Sequence, residues 1–192
     1  PDAAGKPVLI VCPTSLVDNW AEEAARFTPN LRVLVLSGAE RHQRRDDLQR
    51  SDLVVTSYAL LRRDIENYAE CIFAAVILDE AQHIKNRSTQ NAIAAKKLRA
   101  GHRLVLTGTP VENSVSDLWS IMNLLNPGLL GNATQFNERF AAPIERERDE
   151  PSRARLRRLV SPFLLRRTKA QVLADLPPRT EIIHRVEPGP EE

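Results

Sequence analysis

Two adjacent carboxylates stand where they could work on a phosphate. Asp79 and Glu80 follow the apolar run Ala75 to Leu78 and precede Ala81, Gln82 and His83. In an open α/β sheet ligands bind beyond the carboxyl ends of the strands, which is where this pair falls. An aspartate there can hold the Mg2+ that bridges the β- and γ-phosphates of a nucleotide, and its glutamate neighbour can orient the attacking water. Two other readings stay open on the local pattern. One is a surface acidic pair at the start of the next helix, favoured by the helix dipole. The other is a metal hydrolase built on Asp79, Glu80 and His83. The remaining histidines, His42, His102 and His184, lie in no ligand-like spacing, which argues against zinc.

Three further strand ends carry small hydroxyl residues. Leu106-Thr107-Gly108-Thr109-Pro110 allows a tight turn at glycine, with two hydroxyls able to relay hydrogen bonds between loops. Taken alone it could be an ordinary strand-to-helix turn. Pro13-Thr14-Ser15 and Thr56-Ser57-Tyr58 offer hydroxyls and free backbone N–H groups, which suit phosphate oxygens and equally suit helix capping.

The elements that must position these groups follow from the apolar pattern. Val8 to Cys12, Leu31 to Leu36, Leu53 to Ser57, Ala75 to Leu78 and Arg103 to Thr107 read as strands. Between them, Leu16, Trp20, Ala24 and Phe27 recur at helical spacing, with Ser15 expected as N-cap and Pro29 as stop. A polar helical stretch is expected over Glu40 to Arg50. Ser88 or Thr89 should cap a helix through Leu98, with Gly101 at its end. Alternating strands and helices imply a parallel α/β sheet with helices on both faces. After Pro110 the pattern turns helical. Leu118, Ile121, Met122 and Leu125 form one stripe, Phe136 and Phe140 a second, and Leu156, Leu159 and Val160 a third. Glu145 to Ser152 is expected to be a mobile helix end or loop, and the next strand candidate is Glu181 to Val186.

Bulk properties exclude more than they reveal. With 192 residues, 42% hydrophobic and 27% charged, the chain can build an ordinary globular core. It has neither a membrane-length apolar run nor, in its opening residues, the apolar stretch of a secretory leader. Cys12 and Cys71 form no C-x-x-C pair, so free thiols in a reducing compartment are expected. The net charge of +2 hides a block from Pro151 to Ala174 with no acidic residue. Arg153, Arg155, Arg157, Arg158, Arg166, Arg167 and Lys169 lie in it, as a surface for phosphates or an acidic partner, or as a solvated helix face.

Taken in order, these segments closely resemble the first RecA-like lobe of SWI/SNF-type remodelling ATPases, with the bacterial members looking nearest. PVLIVCPTSLVDNWAEE resembles that family's motif Ia, DLVVTSYALLRRD its motif Ib, and VILDEAQHIKN its motif II with an extension. LVLTGTPVENSVSDLWSIMNLLNPGLLG is similar to motif III and the following helices, and PFLLRRTKAQVLADLPPRTE to the link towards a second lobe. The last of these sets the chain apart from general DEAD-box RNA helicases.

The resemblance implies a P-loop NTPase fold, with residues 1–112 as the RecA-like lobe, 113–165 as a helical protrusion and 166–192 as the link. It implies ATP and Mg2+ as cofactors, with Asp79 holding the metal and Glu80 activating water. Gln82, in this DEAQ box, together with Thr107 and Thr109, would couple nucleotide state to the rest of the machine. Thr14, Ser15, Thr56, Ser57, Lys85 and Asn86 would meet double-stranded DNA. Further implied partners are a second RecA-like lobe and a DNA-bound protein complex such as a transcription complex. The expected location is the cytoplasm, on the nucleoid, with no membrane partner.

Two departures qualify the match. Glu112 stands where the family usually has Gln, and no G-x-x-x-x-G-K-S/T segment is present. In the family's sheet the strand bearing that loop lies beside the motif III strand. These residues alone are therefore expected to be inactive as an ATPase, as part of an ATP-driven DNA translocase. A non-enzymatic DNA- or protein-binding scaffold derived from a degenerate lobe is the alternative.

Overall fold

The computed structural model describes residues 5–108, 115–167 and 171. Five strands, β1 (Val8–Cys12), β2 (Val33–Leu36), β3 (Leu53–Ser57), β4 (Ile72–Leu78) and β5 (Arg99–Val105), form one sheet in the order β2-β3-β1-β4-β5. Every pairing is parallel. Strand β1 is central and has no polar side chain to satisfy. Leu9 and Val11 enter the core cluster on one face, and Ile10 and Cys12 the cluster on the other, as the two-residue period of a strand requires.

Helix α1 (Val17–Phe27) covers the face of Ile10 and Cys12, using Val17, Trp20 and Ala24. Helices α2 (Tyr58–Arg63), α3 (Ile65–Ala69) and α4 (Gln90–Lys97) join the opposite cluster through Tyr58, Leu61, Tyr68, Ala92 and Ala95. Adjacent strands β1 and β4 thus send their following helices to opposite faces. That divergence opens a crevice at their carboxyl ends, the place where such sheets bind ligands. Phe73 on β4 is fully buried, and truncating such a side chain to alanine costs about 3–5 kcal/mol.

Local chemistry sets several boundaries differently from the sequence pattern. Ser15 does not cap α1: it lies inside a 3-10 turn, Thr14–Leu16, and no side chain caps the helix that follows. Phe27 is 67% exposed, with the Arg26 guanidinium over its ring, so the apolar stripe of α1 ends at Ala24. The polar stretch after Gly38 forms two 3-10 turns, Glu40–His42 and Arg45–Arg50, because it has few apolar residues to bury along a helix. Thr89 does cap α4, accepting a hydrogen bond from the Ala92 N–H. Gly101 is not that helix's end; it lies within β5, where a Cβ would meet the Ala74 carbonyl oxygen at 3.1 Å. Glycine there permits close approach of the two strands, so β5 starts four residues earlier than its apolar run suggests.

Helix α5 (Val115–Leu125) reaches the main core through Leu124, and the Arg103 guanidinium ties it down by bonding the Leu124 and Leu98 carbonyl oxygens. A capping box between Asn132 and Gln135 starts α6 (Ala133–Phe136). A π-helical turn, Asn137–Ala141, carries it on into α7 (Ala142–Arg146). The charged segment after α7 is an ordered turn rather than a loose end. Glu147 and Asp149 N–H groups both bond the Pro143 carbonyl, and Asp149 accepts from the Ser152 N–H at the start of α8 (Glu150–Val160). The chain divides into two compact units, Pro1–Arg153 and Ala154–Glu192, so α5 to α7 lie in the same unit as the sheet. The strand candidate Glu181 to Val186 lies outside the described residues.

Candidate active site

Hydrogen bonds at the strand ends bring the acidic pair into the crevice. The Asp79 N–H bonds the Val11 carbonyl at 2.8 Å, extending the β1–β4 ladder by one step. Just past β5, the Leu106 N–H bonds Leu78 O, and the Ala81 N–H bonds Leu106 O. Asp79 and Glu80 are therefore fixed from both sides by main chain. Because Leu78 points into the cluster on one face, Asp79 points to the other, the face of Cys12 and α1.

Four contacts fix the pair's shape. Asp79 Oδ1 accepts the Glu80 N–H at 2.9 Å, and Oδ2 accepts the Trp20 indole N–H, also at 2.9 Å. The Tyr58 hydroxyl donates to the Asp79 main-chain carbonyl at 2.8 Å, and its ring stacks on His83. Glu80 sits in the left-handed region, at φ 57° and ψ 74°, an unfavourable place for a residue with a Cβ. Both carboxylates are half-buried at the mouth of the crevice.

The same environment moves the neighbouring acids. The Cys12 thiol is pushed up to about 12, first by burial and then by the Asp79 charge. Burial, then Asp79, raises the Tyr58 phenol above its ordinary value, so it stays protonated as a donor.

The other sequence-derived site residues sort clearly. Thr14 and Ser15 are exposed on the turn leaving β1. Thr56 and Ser57 are 0% and 1% exposed, which corrects the picture of their hydroxyls at an open surface. Thr56 Oγ1 donates to Leu36 O and accepts from the Tyr68 hydroxyl, while Ser57 Oγ accepts from the Leu60 N–H as the cap of α2. Gln82 is exposed, one turn beyond the acidic pair, and Thr107 is exposed just past β5. Lys85 lies 3.7 Å from Asp117, and Arg87 covers the Trp119 ring, so the segment after the acidic pair is pinned to α5. Asn86 turns its side-chain oxygen back on Ser88. Thr109 and Glu112 lie outside the described residues.

Asp79 and Glu80 are suited to a nucleotide-borne Mg2+. Half-buried carboxylate oxygens are hard donors, and each Asp79 oxygen accepts only one protein hydrogen bond among the described residues. Among the described residues no group of three or more His, Cys, Asp or Glu side chains is placed to hold a metal ion, so the three-ligand hydrolase reading with His83 has no such cluster behind it.

The model of the SNF2-related domain matches residues 2–192. The chain belongs to that family. Within it, the chain is 41% identical over 192 residues to the TATA-binding protein-associated factor mot1 of Schizosaccharomyces pombe, covering 93% of this chain and 10% of that protein. It is 41% identical over 180 residues to a putative ATP-dependent helicase/translocase, YwqA, of Bacillus subtilis, covering 91% of this chain and 20% of that protein. The SNF2-related chain thus spans a tenth to a fifth of the length of these relatives. Equal identity to a yeast and a bacterial protein leaves the bacterial affinity expected above without support. Among solved structures, the Sulfolobus solfataricus SWI2/SNF2 ATPase core in complex with double-stranded DNA matches at a TM-score of 0.80 and 43% identity, over 90% of this chain and 36% of that one. The fold of this SNF2-related domain is the RecA-like fold of that core.

Trp20, Tyr58 and Cys12 gather around Asp79 without having been singled out as site residues in the sequence. Trp20 looked like one more member of an apolar stripe. Only the register that turns Asp79 towards α1 gives its N–H a partner.

Proposed function

We propose that this chain is part of the first ATPase lobe of an ATP-driven translocase on double-stranded DNA. The observation that carries the reading is the position of Asp79 and Glu80, held by main chain on both sides at the crevice between β1 and β4. Asp79 would hold the Mg2+ of MgATP, and that ion would supply charge neutralisation at the β- and γ-phosphates. Glu80, projected by its unusual backbone, would orient the attacking water. Gln82, Thr107 and Thr109 would sense the nucleotide, since Leu106 is laddered to residues on both sides of the acidic pair.

The grip on DNA would be through exposed Thr14 and Ser15 and through Lys85, with phosphate contacts that position without reading sequence. Thr56 and Ser57 would support it from inside by shaping the start of α2. A second lobe would close the nucleotide site, and a DNA-bound protein complex would be the object moved. The setting would be the cytoplasm, on the nucleoid.

In the full-length protein, Glu80→Gln should keep MgATP binding and reduce DNA-stimulated hydrolysis by roughly two or more orders of magnitude. Near-normal turnover by the variant would place the chemistry elsewhere, whereas absence of turnover in the unsubstituted full-length protein would favour a scaffold. Residues 1–192 alone should not bind MgATP at micromolar concentration in a calorimeter, because they contain no glycine-rich loop to offer N–H groups and a lysine to the phosphates. The outer side of β5 is consistent with this: it is the last described strand of the sheet, and Leu104 upon it is 51% exposed.

A further inference from the structure

Trp20 and Asp79 are 59 residues apart in the chain, yet the indole N–H meets Asp79 Oδ2 at 2.9 Å. The meeting is built by the fold. Val11 pairs with Leu78, so the next residue of each strand, Cys12 and Asp79, faces α1, and Trp20 lies within the first turn of that helix. Indole is a donor only, and half-buried it needs one acceptor. The other carboxylate oxygen takes the Glu80 N–H, so one donor on each oxygen fixes the plane of the carboxylate.

We propose that Trp20 is a positioning residue for the metal-holding carboxylate: its N–H locks Asp79 in one rotamer and leaves the remaining lone pairs to a nucleotide-bound divalent cation. The proposal rests on the reading of Asp79 given under Proposed function. Outer partners that orient a ligating carboxylate typically govern metal affinity by roughly 10- to 100-fold. Packing alone would ask only for a flat apolar ring at position 20, since the cluster around it consists of Val8, Leu16, Val33, Val35 and similar side chains.

The test is Mn2+ binding, read by electron paramagnetic resonance, to the full-length protein with ADP. Trp20→Phe removes the donor, and benzothienylalanine placed at position 20 replaces N–H by sulfur while keeping the indole shape. Both should weaken Mn2+ binding about tenfold and leave metal-free ADP affinity near wild type. Asp79→Asn serves as the reference and should weaken Mn2+ binding at least as much. If Asp79→Asn loses Mn2+ while both position-20 variants retain it, the role given to Trp20 is overturned and the role of Asp79 survives. A loss confined to Trp20→Phe, or an equal loss of metal-free ADP binding, reduces Trp20 to packing and also overturns it. Should Asp79→Asn bind Mn2+ normally, the reading of Asp79 itself fails and the proposal about Trp20 fails with it.

Discussion

The Tyr58 hydroxyl donates a 2.8 Å hydrogen bond to the main-chain carbonyl oxygen of Asp79, joining the start of α2 to the end of β4. Tyr58 is 4% exposed, and its phenol is kept protonated by burial and by the Asp79 charge, so the bond persists at any physiological pH. Removing it with Tyr58→Phe should destabilise the fold by about 1–2 kcal/mol, since a shielded carbonyl is left with one fewer donor. A lowered chemical-denaturation midpoint with an unchanged slope would confirm it; an unchanged midpoint would show that water takes the vacated place.

Glu80 stores backbone strain that serves position rather than stability. Its φ of 57° is disfavoured for any residue with a Cβ and open to glycine. Glu80→Gly and Glu80→Ala both delete the carboxylate, so comparing them isolates the backbone. The glycine variant should be the more stable by about 1 kcal/mol, measured by equilibrium unfolding. Alanine at least as stable as glycine would mean that the turn relaxes when the side chain goes.

Ser57 is expected to matter for stability before it matters for any ligand. Its hydroxyl oxygen accepts the Leu60 N–H at 3.3 Å as the cap of α2 and is itself buried. Ser57→Ala should cost about 1 kcal/mol, and Ser57→Gly less. Thr14→Ala, on an exposed turn, should leave stability within about 0.5 kcal/mol. In DNA-stimulated ATPase assays Thr14→Ala should then show the cleaner loss of stimulation.

Cys12 links stability to alkaline pH. Its thiol is held up to about 12 in the folded chain against an ordinary value of 9.0. Between these values the unfolded chain gives up a proton that the folded chain keeps, so stability present below the lower value is lost as pH rises towards the upper one. The slope has a ceiling of ~1.4 kcal/mol per pH unit for one group. Cys12→Ala should flatten the fall in melting temperature between pH 8.5 and 10, before the raised tyrosines Tyr58 and Tyr68 titrate. Iodoacetamide at pH 8 should label half-buried Cys71 well before buried Cys12, read by peptide mapping.

The sequence alone determined the period of each strand, and with it the alternating parallel architecture. Val8 to Cys12 has no polar side chain, so it had to lie at the centre of the sheet with both faces covered. The acidic pair was legible for the same reason: a carboxylate directly after an apolar strand end can lie only at the carboxyl edge. Hydroxyl residues were legible by place and not by direction. Thr14 and Thr56 read alike in the chain, yet one is exposed and the other is enclosed between Leu36 and Tyr68. That difference comes from place along the strand: Thr56 lies within β3, between β2 and β1, whereas Thr14 lies on the turn past the end of β1. The limits of β5 were hidden because Gly101 means a helix end by composition, whereas the nearness of Ala74 makes it a strand glycine. Trp20 was equally undecidable. A helical stripe shows that its ring is turned inward, but only the pairing of Val11 with Leu78, an interaction 67 residues apart, decides that its N–H finds the Asp79 carboxylate. Periodicity is a local property of the chain, while hydrogen-bond partners across a sheet are fixed by register, which no single segment contains.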